Sequence, residues 1–510
     1  MPKNRGYYHS RDDNSEQMSH SKASRIHARN LYARRFPNKS IATQHNPKNR
    51  SASYLLSMRN RAKWSRGSLF GAVLGLAVWS SCILAAEKKQ PISNAYSTEI
   101  AAVSSDKFLS SLGVNTHVDQ GYDPNSYVAP LRYLGVRNIR DSGRNVPGLL
   151  LLHQQAGIFV DLLGADVIDT VAAAKMLARA DALLSIEGPN EPNNFPVTYN
   201  GLIGGSAGGW AAVAQLQKDL YSTIKGDQEL MQYPVFHVSE GGAETDNMGL
   251  QFLKIPSDAK TLMPDGTEYA DYANVHNYVS GIRIGYVDNQ AWQAADPTLD
   301  GFWKGIYGHW DGLYGEYGRT WKSGFRGYSD GQLEALPRVT TETGWDAPRL
   351  EDERTQGVVL VNTYLAQFKR RWRYTFIYEL GEGEGGGGNQ GLFHKDWTPK
   401  LAATYIHNLT SILVDPTPVL TRPGTLDYSV ASQSSTVHDL LLQKSSGPFE
   451  LVVWGESVRG SNAIKIDLGT AHAVVRMFDV TLGVTPIQTL RNVSSIDLSL
   501  NDHAMVVEIE

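Results

Sequence analysis

From Leu109 onward, apolar runs of strand length alternate with stretches whose apolar residues recur at helical spacing. The runs are Leu112–His117, Val136–Asp141, Ile158–Leu163, Ala182–Glu187, Val235–Ser239, Tyr272–His276, Arg338–Glu342 and Tyr374–Tyr378. Between them, Trp210–Lys225 and Gln356–Arg371 read as helices, the second with Val358, Val361, Leu365 and Phe368 along one face; Lys400–Val414 reads as the last helix. Short apolar strands joined by amphipathic helices are the pattern of a parallel sheet with covering helices. Eight of them predict an α/β chain folded as a (β/α)8 TIM barrel over residues 105–412.

After Asp415 and Pro416 the helical pattern stops. Short runs of strand character follow at Val437–Leu442, Phe449–Trp454, Ala463–Asp467, Val474–Asp479, Ile496–Leu500 and Ala504–Ile509. They predict a C-terminal β-sandwich over 413–510, completed by a strand from residues 92–104. Residues 87–104 otherwise read as a linker and lead-in. The β-domain is expected to support the barrel rather than to bind carbohydrate, since a fold by itself carries no function.

The N-terminal region has a different character. Residues 1–57 are rich in Arg, Asn, Ser and His without apolar periodicity, a composition that cannot order itself by burial. Ser68–Ala86 is a membrane-compatible apolar run directly after Arg59, Arg61, Lys63 and Arg66. Counted from Met58, this stretch has the short basic lead, apolar centre and small residues of a signal peptide, so translation is expected to begin at Met58. An uncleaved signal anchor, tethering the chain to a membrane through 68–86, fits the same charges. In either case residues 87–510 are expected outside the cytoplasm, periplasmic or extracellular.

Charge and cysteine usage narrow the functional classes. Residues 1–66 hold 15 Lys and Arg against 3 Asp and Glu, whereas residues 67–510 hold 33 against 49. An acidic folded part argues against nucleic acid as a partner, because phosphate backbones need clustered positive charge. The single cysteine, Cys82, lies inside the apolar run, so the exported part contains no thiol and relies on packing for stability. Trp79, Ser80 and Ser81 match the small-aliphatic pattern of a lipid-attachment site poorly.

Two strands each end on a carboxylate. Ala182–Ile186 runs into Gly188 and Pro189 and then presents Asn190 and Glu191; Leu336–Thr341 leads to Glu342, 151 positions later. Barrel folds gather such groups at the C-terminal ends of different strands, so this sequence distance is no obstacle. Two carboxyl groups flanking a glycosidic oxygen are the usual requirement of glycoside hydrolysis. Arg140, His276, Tyr278, His117 and Trp345 stand at or just beyond other strand ends and complete the candidate site.

These residues carry a resemblance. Asn190-Glu191-Pro192 after the fourth strand, Glu342 at the end of the seventh, Arg140 at the second, and His276 with Tyr278 at the sixth resemble the retaining glycoside hydrolases of clan A, among them cellulases, β-xylosidases and exopolysaccharide hydrolases. The resemblance spans approximately residues 105–412. It implies that Glu191 is the general acid/base and Glu342 the nucleophile of an exported enzyme cleaving β-linked poly- or oligosaccharide, with no cofactor. Asn190 is then expected at the sugar 2-hydroxyl, Tyr278 on Glu342, His276 on Glu191 or Tyr278, His117 at a sugar hydroxyl and Trp345 as a stacking platform. Arg140 near Glu342 favours an ionised nucleophile, whereas Glu191 needs a raised pKa to hold its proton.

The chain departs from the clan pattern at the eighth strand, where many members carry a Trp and this one has Tyr378 and Glu379. The glycine-rich run from Gly381 to Gly388 is expected to form a mobile rim. Its Glu382 and Glu384 lack the spacing of a calcium loop, so no metal is assigned. The connection from Gly281 to Leu336 carries Trp292, Trp303, Tyr307, Trp310, Tyr314, Tyr317 and Trp321, either as walls of sugar subsites or as the packing of a helical insertion. A non-catalytic glycan binder on the same barrel and a structural envelope protein are the rival classes.

Overall fold

The computed structural model describes residues 99–239, 246–279, 291–298, 326–386, 388–416, 422–431 and 433–510. The basic leader, the apolar run 68–86 with Cys82, and the aromatic residues Trp303 to Trp321 lie outside the described residues. Among the described residues, no helix is long and apolar enough to cross a membrane.

Eight parallel strands form the barrel: Leu112–Asn115, Asn138–Ser142, Phe159–Leu163, Leu183–Glu187, Val235–Phe236, Ala273–Asn274, Arg338–Thr343 and Thr375–Ile377. The eighth pairs with the first through Thr375 and Leu112, and a bridge between Phe236 and Tyr272 joins the fifth to the sixth, closing the ring. The fifth and sixth strands are shorter than their apolar runs. Beyond Phe236 and Asn274 the chain leaves the ladder, which presents Ser239 and His276 at the rim.

Local signals start and stop the helices. Pro124–Leu134 is capped by the Asp123 carboxylate on Asn125 N–H (3.0 Å), begins on proline and ends at Gly135 in the left-handed region. Inside the barrel, Phe236, Val339, Tyr374 and Phe376 form an apolar plug. Gly113 admits it, since a Cβ there would fall 2.4 Å from the Phe376 ring. Above the plug the lining becomes polar. The third strand pairs with the fourth past a register shift that leaves Leu184 unpaired, which sets Ser185 opposite Asp161. Glu187, two residues on, shares the Ser185 face. A second shift, where Thr340 pairs Thr375 but Thr343 pairs Ile377, turns the end of the seventh strand. Bulges of this kind re-aim side chains beside functional sites.

The C-terminal domain is a β-sandwich containing Val437–Gln443, Phe449–Gly455, Asn462–Asp479, Gln488–Leu500 and Ala504–Ile509. The runs Ala463–Asp467 and Val474–Asp479 belong to one 18-residue strand. Apolar alternation fades around Gly469, yet pairing with the next strand continues past a register shift. Residues 99–104 are not a plain linker: Glu99–Ala101 pairs with Thr425–Asp427, and Val103 with Leu442. Leu451, Val453, Met505 and Val507 fill the sandwich, while the alternate positions Val452, Trp454, Ala504 and Val506 join the main core of the barrel helices. The helix Glu353–Lys369 is buried nearly all round for this reason, between barrel and sandwich. Trp292 serves the same junction. It stacks on His438 at 4.3 Å and lies under the Arg370 guanidinium at 4.0 Å, so it packs between domains rather than walling a cleft.

Candidate active site

Arg140, from the second strand, is 5% exposed and uses its guanidinium on three partners. It donates to both oxygens of Glu187 (2.6 and 2.9 Å), to Glu342 Oε1 (2.6 Å) and to Asn190 Oδ1 (2.8 Å). A planar, forked cation is suited to this bridging role. Burial alone would lower the Arg140 pKa, but the charges of Glu187 and Glu342 outweigh it and the net shift is upward. With these donors on protein partners, Arg140 positions the carboxylates, beside Glu342 as the sequence predicts.

Glu187 is fully buried beneath this arrangement and is held by Asn274 Nδ2 (3.0 Å) and Thr341 Oγ1 (3.0 Å). Sequence reasoning assigned it no part in the site. Its signal was present, since Glu187 is the last residue of the fourth strand, but a carboxylate four residues before Glu191 gave no hint that its partner was Arg140.

Glu191 follows the fourth strand with φ of 38°, a left-handed conformation uncommon for a non-glycine residue and typical of a constrained site. Its N–H donates to Ser239 Oγ (2.9 Å), and its carboxylate meets His276 Nδ1 (2.6 Å) and Asn194 Nδ2 (2.9 Å). Ser239 and Asn194 are further members that the sequence did not flag. Ser239 ends an apolar run, as strand-end groups in barrels do, whereas Asn194 lies in an irregular loop and left no signal.

His276 is fully buried between the two carboxylates, 3.5 Å from Glu342 Oε2, with Thr341 Oγ1 at 3.2 Å from its other nitrogen. Tyr278 donates its phenol to Glu342 Oε2 at 3.1 Å. One oxygen of Glu191, one of Glu342 and a His276 nitrogen lie within 4.8 Å of one another. Among the described residues this is the one such trio with the spacing of metal ligands, but the Arg140 guanidinium already places a fixed cation on Glu342, which opposes a second one.

The electrostatics correct one expectation. Burial tends to raise the Glu191 pKa, but the hydrogen bond and charge of His276, with Arg140 and Asn194, outweigh it and the net shift is downward. Burial conversely lowers His276, while the Glu342 charge and the Glu191 hydrogen bond leave it raised. In the free protein both shifts favour the proton on His276 over Glu191.

Two other expected members sit apart. Trp345 is 8% exposed and belongs to the main apolar core, which leaves little ring face for a sugar. His117 turns towards the eighth strand: Nε2 is 3.3 Å from Glu379, Nδ1 is 3.1 Å from Gln120 Nε2, and its ring meets Tyr378 edge-on. Burial pushes His117 down to about 4 and Glu379 up to about 9, the latter helped by the Glu384 charge, so the pair is neutral at pH 7. The glycine-rich rim is anchored. Glu384 accepts from Tyr127 (2.8 Å), Glu382 pairs with Lys400 (3.1 Å), and Gly385 lies so close that a Cβ would fall 2.3 Å from the His117 ring.

From Asn190 a groove of about 810 Å3 runs past Asp119, Arg144, Asp166 and Phe195, a residue 58% exposed.

No sequence-family model matches the chain, and no curated protein matches it by sequence. Among solved structures, a family 39 glycoside hydrolase from Bacteroides cellulosilyticus WH2 matches with a TM-score of 0.50 at 15% identity, covering 80% of this chain and 82% of the other. CelM2, a bifunctional glucanase-xylanase from a metagenome library, matches with a TM-score of 0.49 at 12% identity, over 81% and 97%. A family 30 endoxylanase from Clostridium papyrosolvens C71 matches with a TM-score of 0.45 at 12% identity, over 81% and 97%. The chain is thus similar in fold to the family 39 glycoside hydrolase, a (β/α)8 barrel with a C-terminal β-sandwich.

Proposed function

We propose that the protein is an exported glycoside hydrolase that cleaves β-glycosidic bonds in a poly- or oligosaccharide with retention of configuration. The observation that carries this reading is the pair of facing carboxyl groups, with oxygens of Glu191 and Glu342 no more than 4.8 Å apart. Retaining enzymes hold their carboxyl groups ~5–5.5 Å apart, whereas inverting ones need ~6.5–9.5 Å to admit a water. The spacing favours direct attack on the sugar.

In this reading Glu342, held by Arg140 and Tyr278, attacks the anomeric carbon as its bond to the leaving oxygen breaks. The leaving oxygen takes a proton through Glu191, which receives it across the 2.6 Å hydrogen bond from His276 and is left ionised. A covalent glycosyl-enzyme results. Water then attacks the same carbon, Glu191 accepts its proton, and Glu342 is released. Asn190 accepts from Arg140 at its Oδ1, which leaves its amide N–H groups for the sugar 2-hydroxyl. The groove beyond Asn190 fits a chain of several sugars, with Phe195 as an exposed ring at its edge. Export rests on the apolar run 68–86 and the basic residues before it.

The test is turnover across a panel of β-linked glycans and aryl β-glycosides, with saccharide binding measured in parallel. Glu191→Gln is expected to abolish hydrolysis of unactivated glycans while leaving their binding intact. A protein that only binds glycan has no turnover to lose, and that outcome would overturn the proposal.

A further inference from the structure

At the opposite, N-terminal end of the barrel strands lies a cavity of about 470 Å3 between the barrel and the β-domain. Its lining includes Lys107, Arg338, Lys369, Arg371 and Arg373, and no Asp or Glu. This concentration runs against the charge of the molecule, since residues 67–510 carry 16 more acidic than basic side chains. Of these side chains only Lys369 forms an ion pair, with Asp439 at 3.6 Å; Lys107, Arg338, Arg371 and Arg373 form none among the described residues.

Arg338 anchors the cavity. It is 1% exposed, opens the seventh strand, and has no carboxylate partner. Its terminal nitrogens donate to the carbonyls of Leu333 (3.2 Å), Glu334 (3.1 Å), Leu336 (3.1 Å) and Arg370, whereas its Nε has no acceptor. A buried guanidinium without a counter-charge is costly, and an orphaned N–H adds to that cost. Burial, with the Arg370 and Arg371 charges, pulls Arg338 down to about 10 despite opposing pulls from Glu334 and Asp296. An oxyanion in the cavity would supply the missing acceptor and the missing charge together.

We propose that this cavity binds a phosphate-type oxyanion, with Arg338 as the buried anchor and Lys107, Arg371 and Arg373 as the rim. The site is distinct from the glycosidase centre: Arg338 and Glu342 are four residues apart on one strand, about 13 Å along the barrel wall. Apolar neighbours, Ile100, Val103 and Leu440, adjoin the cations. The same phosphate chemistry is presented by free phosphate and by the head group of an anionic phospholipid.

The experiment titrates full-length protein with inorganic phosphate and sulfate by calorimetry, and separately with phosphatidylcholine vesicles with and without phosphatidylglycerol. Arg338→Gln removes the anchor, and because it also frees four carbonyls, a second variant carries Lys107→Glu with Arg373→Glu at the exposed rim. Saturable phosphate binding, weakened about tenfold or more in the rim variant, supports a site for free oxyanion. Phosphatidylglycerol-dependent vesicle binding that the rim variant loses, without affinity for free phosphate, supports a lipid head group. Binding of neither, or binding unchanged in the rim variant, overturns the proposal. Glycan turnover is expected to be unchanged in the rim variant, so the two sites are tested independently.

Discussion

At the scale of single residues, the site depends on Arg140 bridging three partners and on His276 sharing a proton with Glu191. The second interaction has a kinetic consequence. With His276 raised above its usual 6.5 and Glu191 lowered, the pair holds one proton between its two titrations, and loss of activity at high pH follows the proton leaving His276. Replacing His276 with Asn removes that proton and leaves burial as the main influence on Glu191. The basic limb of the kcat/KM profile is then expected to move to lower pH, and an unmoved limb would show that the pair does not share the proton. Glu191, Glu342, Arg140, His276 and Tyr278 were legible because each closes or follows an apolar run at a strand end. Glu187 and Ser239 were not assigned, since their roles come from contacts with other strands that one strand's sequence does not encode, and Asn194 was not because it reaches Glu191 from an irregular loop. Trp345 misled for the opposite reason: its position beside Glu342 was correct, but the chain turns its ring into the core.

At the scale of elements, the alternating pattern located all eight barrel strands, and the ladder is shorter than the apolar runs where the chain departs to form the rim. The register shifts at Leu184 and at Thr340–Thr343 are invisible in the sequence because they depend on pairing partners. The glycine-rich run reads differently once its neighbours are known. Gly385 has φ of 54° and sits against His117 and the Tyr378 hydroxyl, so its lack of a side chain permits close packing rather than motion. Gly385→Ala combines left-handed strain with that clash and is expected to cost about 1–3 kcal/mol. Denaturant unfolding checks this, and a neutral substitution would mean the rim is not packed as described.

At the scale of the whole molecule, barrel and sandwich share a core through the helix Glu353–Lys369. Asn362 on that helix donates to the carbonyls of Gly455 (2.9 Å) and Asp502 (3.0 Å), and Arg354 forms a two-pronged pair with Asp502 (2.8 Å). Beside them His503 meets Asp479 at 3.0 Å. Burial would lower the His503 pKa, but Asp479 and Asp502 raise it to about 9. A raised folded pKa stabilises fully below the unfolded value of ~6.5 and is lost as pH rises through about 9. His503→Gln is therefore expected to destabilise by up to about 3 kcal/mol at pH 6 and by much less at pH 10, measured by urea unfolding at both. An equal loss at both pH values would assign His503 a packing role only. The proposed activity of the molecule rests on the chemistry between Glu191 and Glu342. The most direct test follows the anomeric proton of the first-formed product by NMR during hydrolysis of a β-linked glycan, with Glu342→Ala as control. A β product from the native protein and no turnover in the variant are predicted; an α product would contradict the attack by Glu342.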